Sequence, residues 1–207
     1  MAECTITVTV GQNGEIIRSL PIVPRIDPRT NEVVGVDENT GQVYPISQLE
    51  KMARNGDPVA QSTMGDYYNS QFNQDYEKAW YWYKKAADQG YAKAQWNIGT
   101  LYAVIDRMLG GDKDLTDPVI AGIVPMVQNL AATQNIDIKN ARDNSLMWFK
   151  KSAEQGYLEA MFVMGRDYSL NKEYEKALHW LEKADKYGHP EAKQLIEVTK
   201  IFNEMGL

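Results

Sequence analysis

Pairs of glycines nine residues apart recur along this chain of 207 residues, and their spacing constrains the fold more than any other feature. Each first glycine is followed by alanine after four residues and by tyrosine after twelve. The pairs are Gly56 and Gly65, Gly90 and Gly99, and Gly156 and Gly165, with Ala60, Ala94, Ala160, Tyr68, Tyr102 and Tyr168 as companions. Three positions that agree three times indicate internal repetition.

A second set of residues precedes the glycines at equally fixed distances. Tryptophan stands eight residues and lysine five residues before Gly90, Gly156 and Gly188. These residues are Trp82, Trp148, Trp180, Lys85, Lys151 and Lys183. The glycines at 56, 90, 156 and 188 lie 34, 66 and 32 residues apart. The unit is therefore a helix, a loop and a second helix of about 34 residues, with about 30 residues inserted in the middle copy.

The two glycines of a pair have different expected roles. Gly90 follows a lysine-bearing helix, where a left-handed residue commonly ends the helix. Gly99 lies inside the next helix, where glycine costs about 1 kcal/mol relative to alanine. We expect this cost to be offset by close approach of the paired helix, with the tryptophan indole filling the space above the glycine.

The stretch "GDPVAQSTMGDYYNSQFNQDYEKAWYWYKKAADQG" and the later "GYAKAQWNIGTLY" resemble the Sel-one-like repeat (SLR) family of the tetratricopeptide superfamily. The family pattern is A-x-x-x-L-G-x-x-Y followed by D-x-x-K-A-x-x-W-Y-x-K-A-A-x-x-G. The match covers residues 47–190 apart from the insertion, with Met64 in place of leucine and Asn144-Ser145 in place of a Lys-Ala pair. The resemblance implies an all-α fold, an α-solenoid of helix-turn-helix repeats, whose first helices line a concave side.

Two domains are expected. Residues 1–46 form a β-rich segment, because "TITVTV", "GQNG" and "EIIRSL" predict a hairpin and "NEVVGVDENTGQVYPI" predicts a second one turning at 37–41. Prolines in the stretch between them forbid a helix there. Packing of this segment on the first repeat is favoured over strand addition by a partner, which remains the alternative.

Residues 47–207 form the solenoid, with an insertion at about 105–140 and a cap at each end. Residues 47–56 predict a lone second helix, and the C-terminal capping helix is expected to start at Pro190. Its expected buried stripe consists of Leu195, Ile196, Val198, Ile201 and Phe202. The insertion is expected to be a dispensable loop with a short helix that carries the distinguishing function.

Composition excludes several classes of function. The net charge of −6 and the pI of 5.0 argue against a nucleic-acid partner, which requires clustered cations. The longest apolar run, at 119–127, is too short to span a membrane. Cys4 is the single cysteine, and no secretory signal is visible, so a cytoplasmic location is expected.

The sequence shows no catalytic, cofactor-binding or metal-binding constellation, so we expect a protein that is not an enzyme and has no cofactor. His179 and His189 are the only histidines, and neither has a visible partner. Asp112, Asp114 and Asp117 could together hold a cation, but such a run is typical of a solvated loop.

A binding surface for a partner protein remains, on the first helices of the repeats. Trp96 and Phe162 are the expected anchors, because aromatic residues and arginine dominate interface energies, although inter-repeat packing is an equal alternative for both. The whole set is Ser62, Asp66, Asn69, Lys93, Trp96, Thr100, Glu159, Phe162, Arg166 and Ser169. The predicted function is that of a protein–protein interaction adaptor acting through this face and the insertion. The alternative is an immunity protein that neutralises a cognate bacterial toxin, a role to which the family has been put.

Overall fold

The computed structural model describes residues 9–10, 16–17, 22–38, 40–70, 73–109 and 127–206. Most of these residues are helical. The helices are α1 (Ile46–Arg54), α2 (Pro58–Asn69), α3 (Tyr76–Asp88), α4 (Ala92–Leu109), α5 (127–133), α6 (Ala141–Glu154), α7 (Leu158–Leu170), α8 (Tyr174–Lys186) and α9 (Ala192–Met205). The all-α fold with a small β-rich N-terminal segment is confirmed.

The chain forms two units, and each is described separately. One unit comprises Leu20–Trp148, and the other comprises Phe149–Leu207 together with Met1–Ser19. In the first unit α2 packs against α1 and α3, and α3 packs against α4. In the second unit α8 packs against α7 and α9. Consecutive helices thus pair as hairpins, which confirms the α-solenoid of helix-turn-helix repeats.

The strands form two antiparallel sheets. Strands β1 (Thr9–Val10) and β2 (Ile16–Ile17) make the first hairpin, whose turn lies outside the described residues. Strands β3 (Ile22–Ile26), β4 (Val33–Asp37) and β5 (Val43–Pro45) make a three-stranded sheet in that order. The second predicted hairpin is confirmed by the β4–β5 pairing. The proline-rich stretch contains an unforeseen strand, β3, and its position at the sheet edge is where proline is tolerated.

The three-stranded sheet packs on the first repeat, as expected. Ile22 is buried in one cluster with Leu49, Met64 and Trp82 from helices α1, α2 and α3. The Thr63 hydroxyl donates a hydrogen bond of 3.2 Å to the carbonyl of Ile22. The sheet therefore contributes to the same core as the helices, and the predicted domain boundary at residue 46 stays a prediction.

Glycines end the repeated helices in the left-handed region, as their spacing predicts. The φ angles of Gly56, Gly90, Gly156 and Gly188 are 99°, 89°, 89° and 89°. After α3, the Gly90 N–H donates to the carbonyl of Ala87, and the Tyr91 N–H donates to that of Ala86. This pair of bonds is the Schellman motif, which satisfies carbonyls at the helix end and turns the chain into the next helix.

Glycines inside the first helices do allow close approach, but the predicted neighbour was wrong. A Cβ atom on Gly65 would lie 2.3 Å from Cδ1 of Tyr83. A Cβ atom on Gly165 would lie 2.6 Å from Cγ of Leu181. At these two glycines the space is therefore filled by Tyr83 and Leu181, the residues that follow Trp82 and Trp180. Trp82 instead packs in the cluster around Leu49.

The insertion is core-forming in its described part, in contrast to the expected dispensable loop. Helix α4 continues into it as far as Leu109. Val127, Leu130 and Ile136 are buried in one cluster with Trp80. The aspartates considered as cation ligands, at 112, 114 and 117, lie outside the described residues.

Helix α9 differs from its prediction in start and in buried face. It begins at Ala192, two residues after Pro190. Of the expected stripe only Ile196 is buried, while Val198, Ile201 and Phe202 are exposed and Leu195 is half-buried. The buried line is instead Ala192, Ile196 and Thr199. Small residues on this line fit close packing against α7 and α8.

Candidate protein-binding surfaces

Asp66 is the centre of a polar network in the Leu20–Trp148 unit. Its carboxylate accepts hydrogen bonds from the Tyr83 hydroxyl at 2.8 Å, from Lys93 Nζ at 2.5 Å and from Asn97 Nδ2 at 3.2 Å. The Lys93 and Asp66 side chains are only 15% and 18% exposed. Charge-assisted bonds of this kind link α2 to both α3 and α4. Asp66 and Lys93, two of the predicted surface residues, therefore stabilise the packing of consecutive repeats.

The other predicted residues of this unit differ in exposure. Ser62 is 1% exposed and therefore lies in the core and not on the predicted surface. Trp96 is half-buried, whereas Asn69 and Thr100 are exposed. The Thr100 hydroxyl donates to the Trp96 carbonyl at 3.0 Å. In this unit an exposed polar rim thus accompanies a tryptophan that is accessible in part.

Phe162 and Arg166 lie together in an open cleft of the second unit. The cleft has a volume of about 230 Å³ and lies between α7 and α9. Phe162 is 8% exposed, and its ring stacks on the imidazole of His189, with centroids 3.9 Å apart and an interplanar angle of 12°. Arg166 is exposed. We name this the α7–α9 cleft; it is lined by Phe162, Arg166, Glu191, Gln194, Leu195 and Val198.

His189 has a partner that the sequence did not reveal. Burial lowers the pKa of His189 from its ordinary value of 6.5, and the nearby Glu191 carboxylate opposes this shift. The imidazole is therefore neutral at pH 7 and presents a flat aromatic face to Phe162. This contact supports the packing alternative for Phe162.

The two remaining predicted surface residues of the second unit are half-buried. Ser169 is half-buried and shares a hydrogen bond of 3.0 Å with the Thr199 hydroxyl of α9. Glu159 is half-buried near the start of α7. Ser169 therefore joins two helices, and Phe162 and Arg166 are the predicted pair that the structure brings to one cleft.

Sequence reasoning missed the α9 side of the cleft because that helix was interpreted as a cap. Glu191, Gln194, Leu195 and Val198 follow the spacing i, i+3, i+4 and i+7, which places them on one helical face. That periodicity, compared with the first helices of earlier repeats, is the signal that could have found them.

Within the described ranges no group of three His, Cys, Asp or Glu side chains could hold a metal ion. Among those same residues no helix combines the length and the apolar character needed to cross a membrane.

Comparison with known proteins agrees with the repeat pattern. The Sel1 repeat model matches residues 58–91, 138–157 and 158–184. An uncharacterised protein of Neisseria meningitidis serogroup B is 27% identical over 156 residues, which is 70% of this chain and 32% of that protein. The chain thus spans about a third of the length of this relative.

Two solved structures are similar to the chain. A Sel1 repeat protein from Oxalobacter formigenes has 24% identity and a TM-score of 0.48, covering 73% of this chain and 96% of that one. A protective antigen of uropathogenic Escherichia coli strains, which displays an SLR fold, has 24% identity and a TM-score of 0.34, covering 73% and 35%.

The first matched segment comprises α2 and α3, the second includes the whole of α6, and the third comprises α7 and most of α8. Each therefore coincides with the helices that the recurring glycines and tryptophans delimit. Sel1-repeat proteins are in general protein–protein interaction modules. The matched segments, together with the repeated helical hairpins, show that the chain contains Sel1 repeats.

Proposed function

We propose that the chain is a non-enzymatic adaptor that binds a segment of a partner protein through the first helices of its repeats. The general role of Sel1 repeats supports this proposal. The observation that carries it is the α7–α9 cleft, where a predicted anchor and a predicted charged residue lie side by side.

The cleft has the chemistry of a peptide-binding site. Leu195 and Val198 supply apolar surface beside the buried ring of Phe162, and the exposed guanidinium of Arg166 supplies a positive charge. Its volume of about 230 Å³ is below the range of about 300–1,000 Å³ that is usual for small-molecule sites. The cleft therefore suits an apolar side chain of a partner followed by a carboxylate that pairs with Arg166.

Quantitative capture from the native source tests the proposal. The full chain is used as bait in three forms: wild type, Arg166→Ala, and Lys200→Ala as the control. Lys200 is an exposed cation of α9 that does not line the cleft. We expect Arg166→Ala to weaken binding of the captured protein by about tenfold or more, as a hot-spot arginine does, and Lys200→Ala to have no effect. Equal affinity of all three forms would show that the partner binds outside this cleft.

The same experiment separates the adaptor from the immunity protein. An immunity protein is expected to capture one toxin with a Kd on the order of 10⁻¹³ M, as the tightest toxin–immunity pairs do. An adaptor is expected to capture its partners with weaker affinity. No contact among the described side chains favours the immunity role, so the adaptor is the function that we propose.

A further inference from the structure

We propose that a second cleft, between α1 and α3, binds an acidic peptide segment of a partner protein. The cleft has a volume of about 480 Å³ and belongs entirely to the Leu20–Trp148 unit. This proposal is independent of the α7–α9 cleft. We name it the basic cleft; it is lined by Glu50, Arg54, Tyr68, Lys78, Tyr81, Trp82 and Lys85.

Helical periodicity builds the walls of the basic cleft. Lys78, Tyr81 and Lys85 of α3 are three and four residues apart and therefore lie on one face. Glu50 and Arg54, one turn apart on α1, supply the other wall. Tyr81 is 48% exposed, and its ring lies edge-on to that of Trp82 with centroids 5.0 Å apart. The Tyr81 ring is thus held in place and remains partly accessible.

The charge of the basic cleft is opposite to that of the chain as a whole. Three cationic side chains and one carboxylate line it, in a protein of net charge −6. The Arg54 and Lys78 side chains are 68% and 59% exposed. Hydrogen bonds to Glu50 and Asp75 raise the pKa of Arg54 and of Lys78, so both are charged at neutral pH.

Lys85 is the cation with the most capacity for an outside anion. Its side chain is exposed, and no carboxylate of the described chain forms an ion pair with it. Its ammonium group lies over the Tyr81 ring, 5.1 Å from the centroid. A ligand carboxylate that reaches Lys85 would therefore also bring its own chain against the ring of Tyr81.

The positions of the ammonium groups disfavour a cationic ligand. Lys78 lies over the Tyr68 ring at 5.1 Å from its centroid, and Lys85 occupies the face of Tyr81 in the same way. An incoming cation would find these ring faces taken and would meet like charges. An incoming anion would meet the exposed sides of the same ammonium groups.

The dimensions favour an extended peptide over a compact anion. Lys78 and Lys85 are two helical turns apart, which corresponds to about 10 Å along the α3 axis. About three residues of extended chain span that distance. A nucleic acid is disfavoured because its continuous phosphates would also face the Glu50 carboxylate and the net negative charge of the chain.

Calorimetric titration of the full chain with acetylated hexaglutamate amide tests the proposal. We expect binding that weakens as salt is raised from about 20 mM to about 200 mM, because the cations are exposed. We expect Lys85→Gln to weaken binding by about fivefold or more and Lys85→Arg to retain it. The matched control is Lys183→Gln, since Lys183 stands at the same repeat position over Trp180, 4.8 Å from the ring centroid.

Four results would overturn the proposal. The first is absence of binding at low salt, and the second is an equal loss for Lys85→Gln and Lys183→Gln. The third is binding of free glutamate as tight as that of hexaglutamate, which would indicate a small-anion site. The fourth is tighter binding of a six-nucleotide oligothymidylate, which would indicate a nucleic-acid site. Circular dichroism of each variant verifies that the exposed substitutions leave the fold intact.

Discussion

Replacement of Gly65 by alanine is expected to destabilise the protein, although alanine is the better helix former. The helix propensity alone would make the variant more stable by about 1 kcal/mol. The added methyl carbon, however, would lie 2.3 Å from Cδ1 and 2.4 Å from Cε1 of Tyr83. Carbon atoms in contact are about 3.5–4.0 Å apart, so the ring has to move by about 1 Å or more.

The size of the destabilisation depends on the contacts that fix the Tyr83 side chain in place. Its ring is 2% exposed, and its hydroxyl donates to the Asp66 carboxylate at 2.8 Å. Overpacking of such a site costs about 1–3 kcal/mol. Weakening of the hydrogen bond costs about 1 kcal/mol more. After subtraction of the gain of about 1 kcal/mol in helix propensity, we expect a net loss of about 2 kcal/mol.

Urea unfolding followed by helical circular dichroism measures this loss in a double-mutant cycle. The four proteins are the wild type, Gly65→Ala, Tyr83→Ala and the double variant. Tyr83→Ala removes the ring that the methyl group would contact, so in that background Gly65→Ala should be neutral or stabilising. If Gly65→Ala instead raises the unfolding midpoint of the wild type, the close approach of α2 and α3 is not the reason for the glycine.

Four further predictions concern stability. Phe162→Ala should cost about 3 kcal/mol or more in urea unfolding, because the ring is buried against His189, whereas Arg166→Ala should leave the midpoint unchanged. Ser62→Ala should raise the thermal midpoint and increase the free energy of unfolding by about 1 kcal/mol, because the hydroxyl is buried with no hydrogen-bond partner among the described residues. Stability should fall as the pH drops below 6.5, because burial lowers the pKa of His189 and the unfolded chain takes up the proton first; His189→Phe should flatten that part of the pH profile. Replacement of residues 127–136 by a Gly-Ser linker should lower the melting temperature followed by circular dichroism, because the segment contributes four residues to the core.

Each of these predictions has a result that contradicts it. Normal stability of Phe162→Ala would make the ring an exposed anchor and not a packing residue. Loss of stability in Ser62→Ala would show that the hydroxyl has a partner, such as a buried water. An unchanged pH profile in His189→Phe would assign the slope to other groups. An unchanged melting curve after replacement of 127–136 would show that this part of the insertion is a dispensable loop.

The helical hairpins were predictable because three copies report on the same position. A single glycine inside a helix is ambiguous, but Gly65 and Gly165 at one register, each with a close neighbour on the paired helix, make packing the consistent explanation. The identity of that neighbour was not predictable. Trp82 and Tyr83 are adjacent and both bulky, and they point about 100° apart on a helix, so the sequence alone does not show which one faces the glycine.

The buried face of α9 shows a second limit. Its apolar side chains favoured a stripe through Val198, yet the helix buries Thr199, which is 0% exposed and bonded to Ser169. Close helix packing selects small residues and satisfied hydroxyls, and both depend on the partner helix. Asp66 likewise accepts a hydrogen bond from Lys93 of another helix, and no local sequence pattern predicts such a non-local bond.

The repeat register determines where helices pack but not what their surfaces bind. Ser62, Trp96 and Phe162 occupy the same register position, yet the first and third are buried and the second is half-buried. Recognition must therefore depend on positions where the copies differ in chemistry while the backbone stays the same. Tyr81 is such a position, because its counterparts are Met147 and His179. An exchange of Tyr81 for methionine keeps an exposed apolar side chain but removes the ring beneath Lys85, so it should weaken hexaglutamate binding without loss of stability. Unchanged binding would show that the cations of the basic cleft act without the ring.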